Sequence, residues 1–137
     1  MIHVRAIMTA GPITVQRQTP LDEVIGLMKT CSCRHLLVVD DDQLVGIVSD
    51  RDVRLAVASP IINHERLSNL HSLREILAEA CMTPDPMTIT SDAPAVEAAT
   101  LMKRYKIDAL PVIDDDQLVG IVTVSDILAS YIELLKA

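Results

Sequence analysis

One unit is written twice in this chain, and any fold it adopts has to accommodate that. Met8-Thr9-x-x-Pro12-x-Thr14 returns as Met82-Thr83-x-x-Pro86-x-Thr88, and Leu27-Met28-Lys29 returns as Leu101-Met102-Lys103. The run of residues 40–48 (Asp-Asp-Asp-Gln-Leu-Val-Gly-Ile-Val) returns unchanged at 114–122. All three pairs share an offset of 74 with no gap, and about 21 of 46 positions agree between residues 8–53 and 82–127. Agreement of that size at one offset is an internal duplication, the mark of repeated supersecondary units that bury their apolar faces on one another.

Both copies give the same local reading. Residues 13–15 and 87–89 carry a short strand signal. A helix follows, opened by Thr19-Pro20 or Asp92-x-Pro94, with the proline expected in the first turn and the polar residue at the cap. Leu21, Val24, Ile25 and Met28 fall at helical spacing, as do Val96, Leu101 and Met102 more loosely. Two apolar strands come next, at 36–39 and 44–48 and again at 110–113 and 118–122, joined by an aspartate-rich hairpin turn. Their continuous apolar character points to burial on both faces. A last helix, with Ser49 or Thr123 as N-cap, runs over 52–58 and 126–136.

The order is therefore β-α-β-β-α, twice, an α/β (α+β) fold. Residues 1–60 form the first repeat and 82–137 the second. Between them, 61–81 make a linker: Ser59-Pro60 stops a helix, 61–71 form a loop, and 73–78 form a short helix. A single copy is too small and too apolar to stand alone in water, so the two are expected to pack as one pseudo-twofold module.

Composition removes several function classes. Twelve Lys and Arg against 19 Asp and Glu give a net charge of −7, which argues against a nucleic-acid partner. Tyr105 and Tyr131 are the only aromatic residues, too few for a base-stacking platform. No apolar run approaches the roughly 18 residues of a membrane helix, and the N-terminus lacks a signal-peptide core, so no membrane insertion is expected. Three cysteines (Cys31, Cys33, Cys81) make no disulfide framework, lack zinc spacing and read as thiols in a reducing cytoplasm. The triple aspartates lack the spacing of a calcium loop and read as a solvated turn. No metal site is expected. Neither a nucleophile with an adjacent base nor a glycine-rich phosphate loop is visible, so the chain reads as no enzyme, with no catalytic residues.

The unit Met-Thr-x-x-Pro-x-Thr-Val, a helix, Arg34-His35-Leu36-Leu37-Val38-Val39-Asp40, then Gly46-Ile47-Val48-Ser49-Asp50-Arg51-Asp52, resembles the cystathionine-β-synthase (CBS) domain. The second copy resembles it equally, through Ala109-Leu110-Pro111-Val112-Ile113-Asp114 and Gly120-Ile121-Val122-Thr123-Val124-Ser125-Asp126. Two such domains in tandem form a Bateman module. Asp-Arg-Asp after the third strand and Leu-Arg-Glu-Ile-Leu before the second repeat look most like stand-alone bacterial CBS-pair proteins of the acetoin-utilisation type.

The resemblance implies a binding module for adenosine-containing ligands (AMP, ADP, ATP or S-adenosylmethionine) in two clefts between the repeats, with no catalytic cofactor. Asp52 and Asp126 match the family's ribose-binding aspartate, with Ser49 and Thr123 one turn earlier. The base pocket beside each aspartate is implied to come largely from the other copy. It would place adenine among Met82, Met87, Ile107 and Asp108 at the Asp52 cleft, and among Met8, Ile13, Cys33 and Arg34 at the Asp126 cleft. Phosphate contacts would come from Arg34, His35 and Arg51, where the second repeat has Asp108, Ala109 and Ser125. The Asp52 cleft is then equipped for a phosphorylated ligand and the Asp126 cleft is not. Plainer readings stand beside these: Asp52 and Asp126 as first-turn acids favoured by the helix dipole, Arg34 and Arg51 as solvated charges, His35 as the cap of a strand.

The last helix, with Ile127, Leu128, Tyr131, Ile132, Leu134 and Leu135, carries more apolar surface than one repeat should bury, which predicts a homodimer. The function expected is a ligand sensor acting on a regulated protein that the sequence does not name. The alternative is a ligand-free protein–protein adaptor.

Overall fold

A computed structural model of the chain describes residues 1–58 and 73–136. The expected helix stop at Ser59-Pro60 and the loop at 61–71 lie outside the described residues. The elements are α1 (Val4–Ile7), β1 (Thr9–Ala10), β2 (Thr14–Gln16), α2 (Leu21–Cys31), β3 (His35–Asp40), β4 (Gln43–Ser49), α3 (Asp50–Val57), α4 (Ala78–Cys81), β5 (Thr83–Pro84), α5 (Ala95–Tyr105), β6 (Ala109–Asp114), β7 (Gln117–Thr123) and α6 (Val124–Lys136). The mixed α/β character expected from the sequence is present in both copies.

Sequence repeat and compact unit do not share boundaries. One unit comprises Ile13–Asp85, and the other joins Met1–Pro12 to Pro86–Ala137. In the first, β2 runs parallel to β3, β3 antiparallel to β4, and β4 antiparallel to β5. In the second, Ile89 bridges Val112 in parallel, β6 pairs with β7, and β7 with β1, all at the equivalent register. The lead-in of each repeat thus completes the sheet of the other's unit. His3 bridges Pro94 in one unit as Leu77 bridges Pro20 in the other.

Each hairpin turns on two aspartates. Asp40 pairs with Gln43 and Asp114 with Gln117, leaving Asp41-Asp42 and Asp115-Asp116 as two-residue loops with φ of 52°, 64°, 49° and 64°. Both loop positions are left-handed, as the twist of a tight hairpin demands, and aspartate tolerates that conformation better than most residues. Leu36, Leu37, Val38 and Val39 are all buried, so β3 is covered on both faces as expected.

Five local expectations need correction. Pro20 and Pro94 occupy the N-cap itself, not the first turn. Thr19 and Asp92 do not cap: the Thr19 hydroxyl accepts the Gln16 N–H at 2.9 Å, and Asp92 accepts from the Thr90 hydroxyl at 2.7 Å. Val96 points outward, 68% exposed, because Ala98 and Met102 one turn apart take the inner face of α5. The short helix before the second repeat begins at Ala78, since Leu77 is extended by its pairing with Pro20. Residues 87–89 contribute a single bridge at Ile89 in place of a strand.

The cysteines differ most. Cys31 and Cys33 are joined by a disulfide with Cα atoms 5.3 Å apart, leaving Cys81 as a free thiol. Ser32 between them is left-handed (φ 55°), which ends α2 and turns Cys33 back toward Cys31. Sequence spacing alone did not signal this turn. Among the described residues, no helix is long and apolar enough to cross a membrane.

Candidate ligand-binding site

The end of each sheet where a strand hands over to the last helix gathers most of the expected site residues. In the Ile13–Asp85 unit His35 pairs with Ser49, and the Arg34 carbonyl accepts the Asp50 N–H at 2.8 Å. The start of β3 (Arg34, His35) therefore lies beside the start of α3 (Ser49, Arg51, Asp52). The Ser49 hydroxyl accepts the Asp52 N–H at 3.0 Å, while Asp52 Oδ2 accepts the Ser49 N–H at 2.9 Å. This reciprocal cap satisfies two backbone donors that a helix start leaves open. Arg34 and Arg51 are exposed.

The other unit repeats the frame with different chemistry. Ala109 pairs with Thr123, and the Asp108 carbonyl accepts the Val124 N–H at 2.9 Å. Asp126 Oδ2 accepts from the Thr123 N–H at 2.8 Å and from its hydroxyl at 3.2 Å. Where the first unit offers Arg34, His35 and Arg51, this end offers Asp108, Ala109 and Ser125.

The methionines sit against glycines in the strands. Met82, just past α4, packs on Gly46; a methyl group placed there would collide with its sulfur and lie 3.1 Å from the Thr83 carbonyl oxygen. Met8, just past α1, holds the same position against Gly120. Met82 thus belongs to the unit of Asp52 and Met8 to the unit of Asp126. Ile13 and Cys33 lie in the Asp52 unit, and Met87, Ile107 and Asp108 in the Asp126 unit. Ile13 and Met87 are partly exposed, at 42% and 38%.

Two features escaped sequence reasoning. One is the use of Asp52 and Asp126 as caps, which the Ser-x-x-Asp and Thr-x-x-Asp spacings would have signalled. The other is an open cavity of about 480 Å³ between α1 and α6, lined by Ile2, Ala6 and Ile7 on one side and Asp126, Ser130 and Glu133 on the other. Its lining is largely apolar, with two carboxylates and no basic group. Glu133 also lies 3.6 Å from the Lys136 ammonium.

A duplicated hairpin-and-helix unit, each copy ending in a hydroxyl and a carboxylate at a helix start, defines the class. The chain belongs to the CBS domain family, whose profile matches residues 4–59 and 73–133. A CBS domain-containing protein of Dictyostelium discoideum is 37% identical over 137 residues, covering 98% of this chain and 94% of that one. A Vibrio cholerae protein described as an acetoin utilization protein (AcuB) superposes with a TM-score of 0.79 at 36% identity, over 99% of this chain and 94% of its own. The CBS domain pair of protein MJ0100, in complex with 5′-methylthioadenosine and S-adenosyl-L-methionine, gives 0.82 at 28% identity, over 98% of both chains. CBSX2 in complex with AMP gives 0.79 at 29%, over 98% and 99%.

Proposed function

We propose that the chain is a non-catalytic regulatory module that binds adenosine-containing ligands (AMP, ADP, ATP or S-adenosylmethionine) between its repeats and passes their occupancy to a partner protein. The observation that carries this reading is the duplicated helix start. Asp52 commits Oδ2 to its cap, and Oδ1 has no partner among the described residues. An ionised oxygen in that position suits a ribose hydroxyl, because charge-assisted hydrogen bonds are about twice as strong as neutral ones. Relatives caught with AMP, or with 5′-methylthioadenosine and S-adenosyl-L-methionine, support the ligand class.

In this reading Asp52 and Asp126 hold ribose, with Ser49 and Thr123 beside them. Adenine rests among Met82, Met87, Ile107 and Asp108 at one site and among Met8, Ile13, Cys33 and Arg34 at the other. Arg34, His35 and Arg51 favour phosphates at the Asp52 site. The basic-free helix start and cavity around Asp126 favour a ligand without phosphates. A ligand that bridges the repeats selects one relative orientation, and the partner reads it by linkage. We take the cytoplasm as the location.

Thermal unfolding of the wild type, Asp52→Ala and Asp126→Ala against each ligand tests this. A ligand at 100 times its Kd should add about 2.7 kcal/mol. The AMP shift should vanish in Asp52→Ala and survive in Asp126→Ala. Two AMP sites of equal affinity would overturn the asymmetry, and no shift with any ligand would leave the second reading, a protein–protein adaptor.

One observation favours that second reading. Asp50 and Arg54, paired at 3.8 Å on α3, correspond to Val124 and Leu128 on α6, which are 43% and 56% exposed. With Tyr131, Ile132 and Leu135 also exposed, this face suits a homodimer. Leu128→Lys should then lower the mass measured by light scattering to that of a monomer.

A further inference from the structure

We propose that Cys31 and Cys33 are a thiol–disulfide couple whose state controls the order of the Arg34–Asp50 end of the candidate site. The duplication supplies an internal control. At the end of α5, Lys106 adopts the same left-handed turn (φ 54°) as Ser32, and the Ile107 N–H reaches Met102 as the Cys33 N–H reaches Met28, both at 3.1 Å. Tyr105 and Ile107 stand where the first repeat has its cysteines. The turn therefore forms without a covalent bond, and the disulfide is an additional constraint confined to the repeat that carries Arg34, His35 and Arg51.

Its position transmits that constraint. Arg34 follows Cys33 directly, and its carbonyl accepts the N–H of Asp50, the first residue of α3, at 2.8 Å. His35 pairs with Ser49, the cap that holds Asp52. Closing the ring restricts the backbone entering this site, so the oxidised form presents Arg34 already ordered. Cys31 and Cys33 are both partly exposed, open to a small thiol. In a reducing compartment such bonds are transient and redox-sensing, not structural.

The couple exchanges two electrons and two protons with a low-molecular-weight thiol of the glutathione class. One thiolate attacks a sulfur of the ring, giving a mixed disulfide and one free cysteine. A second thiolate then displaces the remaining cysteine and leaves as the small-molecule disulfide. Both protein sulfurs end as thiols, and oxidation reverses each step. Cys81, half-buried near Asp52, has its thiol pushed above the ordinary value by burial and by that charge and is a poor competitor for either step.

The folded chain is equilibrated in glutathione buffers of graded poise, quenched, unfolded and alkylated, and the adducts are counted by mass. One adduct is expected at the oxidising end and three at the reducing end. Three adducts at every poise, or one adduct even under full reduction, would overturn the couple. Amide exchange at Arg34 and Asp50 is then compared between the two forms. Exchange at least threefold faster when reduced, and insensitive to redox poise in Cys31→Ser, is expected; equal rates would overturn the coupling. Only the last arm rests on the ligand reading: AMP should bind the oxidised form at least threefold more tightly. Absence of AMP binding in both forms would sink the ligand reading while exchange still decides the switch, and equal affinity would overturn control of the site.

Discussion

Asp52 and Ser49 hold each other's backbone N–H groups, at 2.9 and 3.0 Å, so the carboxylate proposed to meet ribose is already part of a helix cap. The two roles are separable. Asp52→Ala removes both and should cost about 1 kcal/mol of stability in the absence of any ligand. Asp52→Asn keeps an acceptor for the Ser49 N–H while losing the charge, and should cost a few tenths at most. Both should lose the AMP-induced thermal shift. If Asp52→Asn kept it, the charge would not be what the ligand reads. Urea unfolding without ligand, beside melting with it, separates the two effects.

The glycines opposite the methionines should differ in how they can be rescued. A Cβ at Gly46 meets mainly the flexible end of Met82, with the Thr83 carbonyl 3.1 Å away. At Gly120 it meets Met8 and also the Thr9 carbonyl at 2.8 Å. Either Gly→Ala change should destabilise by about 1–3 kcal/mol. Adding Met82→Ala should recover part of the loss at Gly46. Adding Met8→Ala should recover little at Gly120, because the backbone of β1 still blocks the methyl. Equal recovery in urea-unfolding double-mutant cycles would contradict this.

The repeat made the α-β-β-α order of both copies, the hairpin turns and the helix cap at Ser49 readable, because these depend on residues close in sequence. The exchange of lead-in segments was not readable. Nothing in Val4–Ile7 or Ala78–Cys81 says which sheet edge β1 or β5 will pair with, since edge pairing is decided by backbone groups that every sequence carries. Val96 misled because apolar character was taken for an inward direction, while Ala98, small and easily overlooked, packs inside. At the site, Ser49, Asp52, Arg34 and His35 come together through the β3–β4 register, which the hairpin turn fixes locally. Cys31 and Cys33 meet because Ser32 turns left-handed, a conformation that its identity does not announce.

Asp114 should make one edge of the fold acid-sensitive. The Ser91 hydroxyl donates to it at 2.5 Å and the Ser91 N–H at 2.9 Å, and together with the charge of Arg5 they hold its carboxyl below the usual carboxylate range. A folded-state pKa below the unfolded one means that the unfolded chain binds the proton more readily. The stability this group contributes is therefore present above the unfolded value, about 3.9, and is lost as pH falls through the folded value. Between about pH 7 and about pH 3 the urea midpoint of Asp114→Asn should fall less steeply than that of the wild type. Parallel profiles would show that the Ser91 bonds do not discriminate the charged form. At the matching place in the other repeat, Asp40 meets Arg17 at 2.8 Å where Asp114 meets Ser91, so Asp40→Asn, which loses an ion pair in place of the Ser91 bonds, serves as the contrasting variant.

Cys81 reports on Asp52 from inside the same unit. Burial raises its thiol pKa first, and the negative charge of Asp52 raises it further. Only the thiolate attacks an alkylating agent, so the native reaction with iodoacetamide should be slow at neutral pH. Removing the charge lowers the pKa and enlarges the thiolate fraction. Asp52→Asn should therefore alkylate about twofold faster than the wild type at the same pH, and Asp52→Glu should stay near the wild-type rate. With the Cys31–Cys33 bond closed, Cys81 is the free thiol, so mass spectrometry reads its rate directly. A rate unchanged in Asp52→Asn would mean that the carboxylate's field does not reach the sulfur. A rise equal to that of the fully unfolded chain would instead reveal that the α3 cap had opened.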